Sequence, residues 1–168
     1  MIRCGLAAGV ELDRPLLRRL RAELRNAEAL ALASRALRSR DLSRHRLAER
    51  LERAGVAPPA ERQALATLTH VGALDDARLA RTRAAALAER GWADRAIAAR
   101  LEAEGIAETE ARAAIGGLLP ESERASRAVA GLRHPRKAWA LLARRGFDAE
   151  TIAATLGPLD EDTPDGLG

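Results

Sequence analysis

Three stretches of this chain end in the same way. HRLAERLERAGV (45–56), DRAIAARLEAEGI (94–106) and KAWALLARRGF (137–147) each run through a short amphipathic pattern, then a glycine, then one apolar residue. Leu47 and Leu51 stand four apart, as do Ile97 and Leu101, and Ala138 and Leu142, so each pair shares one helical face. Gly55, Gly105 and Gly146 fall just past the helix end, where a left-handed residue closes the last turn and glycine takes that conformation at least cost. Val56, Ile106 and Phe147 can then fold back as the apolar contact of such a cap.

The first two stretches keep an offset of 50 residues well beyond the glycine: Leu65 answers to Ile115 and Leu68 to Leu118. The third follows the second at an offset of 41, with Leu156 in the place of Ile115. The chain is therefore an internal repeat. Helix starts divide it the same way, with Ser43 as an N-cap, Pro58 and Pro59 in a first turn, and Ser122, Pro135 and Asp148 opening the helices of the third unit. The pattern predicts nine helices in threes, over 14–40, 43–54 and 58–70, then 76–90, 93–104 and 108–119, then 122–131, 135–145 and 148–156. The first is long because Leu17, Leu20, Leu24, Ala27 and Leu30 continue one apolar stripe. The expected organisation is an N-terminal segment (1–13), repeats at 14–72, 73–120 and 121–157, and an acidic tail at 158–168 whose composition favours disorder. Units too small to bury a full core alone should stack into an elongated, curved array.

Composition agrees with an all-α fold. Ala, Leu and Arg dominate, aromatics make up only 2% of the chain, and Tyr is absent, so little is available to build a pleated surface. Cys4 is the only cysteine, which excludes an intrachain disulfide framework and a multi-thiolate metal site. No apolar run approaches the ~18 residues a membrane span needs, and MIRCGLAAGVELD does not read as a signal peptide. A cytoplasmic monomer is expected.

Charge is unevenly spread. Residues 14–53 hold twelve arginines against five acids, and 124–147 hold six arginines and Lys137 with no acid, while Asp160, Glu161, Asp162 and Asp165 stand in a tail without a base. Arg38, Arg40, Arg44 and Arg46 in the first stretch, with Arg133, Arg136, Lys137, Arg144 and Arg145 in the second, are the candidate contacts to a polyanion. Any one of them alone reads as a solvated helix face; the acid-free stretch as a whole points to phosphate.

Catalysis has little to stand on. His45, His70 and His134 are scattered, without a carboxylate or thiol at ligand spacing, and the Gly116–Gly117 pair lacks the Lys and Ser/Thr of a phosphate loop. The best acid pair is Asp75–Asp76, in GALDDARLA (72–80). Adjacent residues on a helix point about 100° apart, so the two carboxylates do not converge on one atom. As a helix start they make sense: Asp75 caps free amides and Asp76 adds negative charge where the helix dipole favours it. No cofactor or metal is expected.

At these separations RDLSRHRLAERLERAG (40–55), GALDDARLA (72–80) and ERGWADRAIAARLEAEGI (89–106) resemble the RecX family of bacterial recombination regulators. The matching positions are Arg40, Ser43, Arg44, Leu47, Leu51 and Gly55; then Gly72, Leu74, Asp75, Asp76 and Ala80; then Gly91, Ile97, Leu101, Gly105 and Ile106. The sequence departs from the family where Leu79 replaces an aromatic and Ala93 a second glycine. The resemblance implies a non-enzymatic protein of tandem three-helix repeats. Such a protein binds the RecA–single-stranded-DNA filament, touches single-stranded DNA weakly, and damps strand exchange, ATP hydrolysis, co-protease activity and the SOS response. The residues alone leave a helix-turn-helix-like DNA-binding module and a DNA-independent adaptor open as alternatives.

Overall fold

A computed structural model describes residues 13–157. The N-terminal segment with Cys4 and the acidic tail lie outside the described residues. Nine α-helices and no strand occur among the described residues: α1 (Arg14–Ser39), α2 (Arg44–Arg53), α3 (Pro58–His70), α4 (Asp76–Glu89), α5 (Asp94–Ala103), α6 (Glu108–Gly116), α7 (Glu121–Val129), α8 (Pro135–Arg144) and α9 (Ala149–Leu156). The chain divides into two compact units between Asp75 and Asp76.

In the first unit α1 packs along α3, and α2 closes the triplet. The fully buried face of α1 is made of alanine; of the leucine stripe, Leu30 packs against the core and Leu17, Leu20 and Ala27 are half-buried. Ala29, Ala33 and Ala36 are buried, whereas Leu24 is 59% exposed. Alanine, at spacings of four and three, lets α1 lie close to Ala60 and Ala64 of α3, and Leu47, Leu51, Leu65, Leu68 and Leu74 complete the core. Ser43 is buried and its Oγ accepts from the Arg46 amide at 3.1 Å, which starts α2.

The second unit holds two triplets, each with its own core. One gathers Leu79, Ala80, Ala84, Ile97, Leu101 and Ile106. The other gathers Ala125, Val129, Ala138, Leu142, Phe147 and Ile152 and takes in Ala93 from the loop before α5. The helix α7 opens one residue earlier than Ser122, at Glu121 behind Pro120. The fixed φ of proline pre-sets the entry to the first turn, so no hydroxyl cap is required there.

The recurrent helix ends share one hydrogen-bond pattern. The amides of Val56, Ile106 and Phe147 donate to the carbonyls of Leu51, Leu101 and Leu142 at 3.1, 3.1 and 3.2 Å, and those of Gly55, Gly105 and Gly146 donate to Glu52, Glu102 and Ala143. Two orphan carbonyls per helix are satisfied in this way. The pattern requires positive φ, 77° at Gly55 and 90° at Gly146.

A side chain at Gly55 would meet no neighbour within 4 Å, whereas a Cβ at Gly146 would lie 2.8 Å from the Cβ of Ala96. Gly55→Ala is therefore expected to cost only the left-handed penalty, about 1–2 kcal/mol, and Gly146→Ala more, through added overlap. Urea unfolding of both variants checks the order. Asp148 supplies a second check. Its carboxylate accepts from the Thr151 amide at 2.6 Å, and this bond, then the Thr151 side chain and the charge of Arg95, hold its pKa below the usual carboxylate value. The stabilisation is therefore full above the unfolded pKa and is lost as pH falls through the lowered one. Asp148→Asn, which keeps a cap without the charge, should flatten the acid side of the thermal-stability profile between neutral pH and pH about 3.

Candidate functional site

The candidate cations fall into one group in each unit. In the first unit Arg38 ends α1, Arg40 is its C-cap residue, and both are exposed. Arg44 and Arg46 open α2 and are engaged within the fold. The Arg44 guanidinium donates to Thr69 Oγ1 at 2.8 Å, fastening the start of α2 to the end of α3. Arg46 donates to Glu49 at 3.0 Å, and His45 and Arg53 approach the same carboxylate at 3.1 Å. The hydrogen bond from Arg46, reinforced by the charges of Arg46, His45 and Arg53, holds Glu49 below the ordinary carboxylate range.

In the second unit the candidates sit at the two ends of α8. Arg133 lies in the loop before the helix, and Arg136 and Lys137 occupy its first turn, which contains no acid. Ten residues make a helix about 15 Å long, so Arg144 in the last turn stands apart from them. Cations in a first turn oppose the helix dipole. The positive end of α8 is thus a concentrated cationic point, costly to the isolated helix and suited to meet an anion. Arg145 is half-buried instead, at the joint with the preceding triplet.

That joint contains the residue sequence reasoning missed. Arg124, in sequence one more cation of an acid-free stretch, is 4% exposed. Its guanidinium donates to the carbonyls of Leu119 (3.0 Å) and Trp92 and pairs with Asp94. Around it, Glu121 accepts from the Asp94 amide at 2.7 Å, and the Ala93 amide donates to the Arg145 carbonyl at 3.1 Å. Arg127 pairs with Glu123 at 2.6 Å. Two of the seven cations of the stretch are therefore matched by acids upstream of it. Nothing local in the sequence links Asp94 to Arg124; the only hint is an arginine at a core-facing position beside Ala125.

Beside the joint opens a cavity of about 640 Å³ lined by Arg90, Arg124, Arg127, Arg145 and Glu89 against alanine and leucine side chains. Elsewhere the Arg100 guanidinium stacks on the Trp92 ring, 3.5 Å from its centroid. Among the described residues no group of three or more His, Cys, Asp or Glu is placed to hold a metal ion. No described helix is long and apolar enough to cross a membrane.

The arrangement of helices matches solved structures. One, described as the crystal structure of regulatory protein RecX, aligns at a TM-score of 0.76 with 18% identity, over 90% of this chain and 82% of that one. The chain has the RecX fold. A second, the crystal structure of RecX from Lactobacillus salivarius, aligns at 0.70 with 14% identity, over 78% of this chain and 94% of that one. No protein-family model and no curated protein matches the sequence. Within the RecX fold the joint between the second and third triplets rests here on Arg124. Arg124→Ala should cost about 3 kcal/mol, since it leaves the Leu119 and Trp92 carbonyls without their donor and a void where the guanidinium lay. Asp94→Asn should cost less, because the Asp94 side chain is 42% exposed. Denaturant unfolding of the two variants tests the ranking.

Proposed function

We propose that the protein binds the RecA–single-stranded-DNA filament and lowers its recombinase, ATPase and co-protease activities, damping recombination and the SOS response. The observation that carries this reading is the match to two RecX structures over 78% and 90% of the chain. The charge distribution supports it. Arg133, Arg136 and Lys137 at the positive end of α8, with Arg144 at its other end, are exposed and suit a filament that contains phosphates. Arg38 and Arg40 offer a smaller cationic point in the first unit.

The decisive measurement is RecA ATP hydrolysis and strand exchange on single-stranded DNA with and without the protein. Inhibition at substoichiometric ratios is expected, and full activity in the presence of a molar excess would overturn the reading. Replacing Arg133, Arg136, Lys137 and Arg144 together by Glu should weaken filament binding by at least tenfold. It should also flatten the dependence of affinity on salt, by about 0.7 in logarithmic slope for each phosphate no longer neutralised. Unchanged binding would make these residues a solvated face only.

A further inference from the structure

We propose that the cavity beside the Arg124 joint is a docking cleft for a carboxylate-bearing, leucine-containing peptide segment of a partner protein. Its charges point this way independently of the filament reading. Arg124 is paired with Asp94 and Arg127 with Glu123. Arg90 and Arg145 also line the cleft, yet neither guanidinium makes an ion pair or hydrogen bond among the described residues. Glu89 is the only acid in the lining. A site with two unmatched guanidiniums and one carboxylate keeps a net positive field, which favours an anionic visitor.

The Arg145 guanidinium lies close to the backbone of Gly91. A Cβ at Gly91 would come 2.5 Å from Arg145 Nη1 and 2.9 Å from the Cβ of Ala128. Only the bare backbone there leaves room for the guanidinium to lie against it. The Arg145 carbonyl accepts from the Ala93 amide, which ties the backbone of this residue to the loop that precedes α5.

The remaining lining decides the class of ligand. Ala85, Ala88, Ala128, Leu118 and Leu119 supply apolar walls, and Leu119 is 46% exposed. There is no aromatic ring in the lining on which a base could stack and no side-chain amide to read a base edge. Trp92, just outside, has its ring covered by Arg100. Guanidiniums beside small apolar walls match carboxylates interspersed with leucines: the forks take the acids in bidentate fashion and the walls take the leucines. A nucleic-acid strand would use the cations and leave the walls wet.

The test is fluorescence anisotropy on the full chain, with a fluorescein-labelled peptide of repeating Asp-Leu-Glu as probe. Its Asn-Leu-Gln counterpart and labelled oligothymidine serve as comparisons. The acidic peptide should bind, the neutral one should not, and Arg90→Glu with Arg145→Glu should weaken peptide binding by at least tenfold. Leu119→Glu changes an exposed side chain and adds a carboxylate, while the Leu119 contact to Arg124 is through the backbone carbonyl; it should weaken binding as well, so a folding defect in the double variant would not leave the question open. Arg133→Glu with Arg136→Glu should leave peptide affinity unchanged. The proposal is overturned by an acidic peptide that fails to bind, by equal binding of the neutral peptide, or by variants that bind like the parent. It is also overturned if oligothymidine displaces the peptide and loses its own affinity in the Arg90/Arg145 variant, since the cleft would then be a nucleic-acid site. None of these readouts involves RecA, so they stand apart from the inhibition assay.

Discussion

The structure depends on a helix end that folds back on itself. At the close of α2, α5 and α8 a left-handed glycine lets the next amide reach the carbonyl five residues earlier, and the apolar residue carrying that amide is turned toward the helix it has just left. Ile106 and Phe147 are buried as a result, and Val56 partly so. The reversal also fixes where the next helix begins. Pro58 follows Val56 by two residues and α6 starts two residues after Ile106, while Asp148 caps α9 immediately after Phe147. The same pattern closes α3 at Gly72 and α4 at Gly91, so one local device, used five times among the described residues, shapes the path of each triplet.

Packing then follows from a chain short of large side chains. With aromatics at 2% of residues, the cores are built from Leu, Ile and many alanines. An alanine buries little more than a methyl group, worth less than about 1 kcal/mol. Its contribution is closeness, since α1 approaches α3 through Ala29, Ala33 and Ala36 meeting Ala60 and Ala64. Between the second and third triplets, where Ala93 joins the third core and the other close neighbours are alanine and glycine, a polar joint takes over. Arg124 satisfies two carbonyls and Asp94 at once, and a buried guanidinium held from several directions specifies a geometry that alanine contacts alone would leave loose.

Helix positions and the helix ends are legible in the sequence because both are local: period, proline, glycine and the residue after it lie within a few positions of one another. The leucine stripe of α1 shows only part of its buried face, because alanine carries no preference between surface and core and Ala29, Ala33 and Ala36 do not stand out beside the more hydrophobic Leu24. The opening of α7 reads one residue late for a similar reason: a hydroxyl at Ser122 competes with Pro120, and ring geometry prevails over a replaceable cap. Arg124 is illegible outright. Its partners, Trp92 and Asp94, are about thirty residues away, and an arginine before an alanine reads as surface until the fold brings those groups to it.

The same distinction governs what the charge of this chain means. A cation count treats every arginine as available, yet Arg44, Arg46, Arg124 and Arg127 all have partners within their own units. The other candidate contacts are of two physical kinds. Those at the ends of α8 and at the end of α1 are exposed and act through a field that salt screens within about 10 Å at moderate ionic strength. Arg145 is half-buried beside apolar walls, where a partner that excludes water strengthens the interaction and salt weakens it less. A polyanion gripped by the first kind and a peptide gripped by the second can therefore be told apart by ionic strength alone. The chain's net charge of +4, small as it is, conceals both.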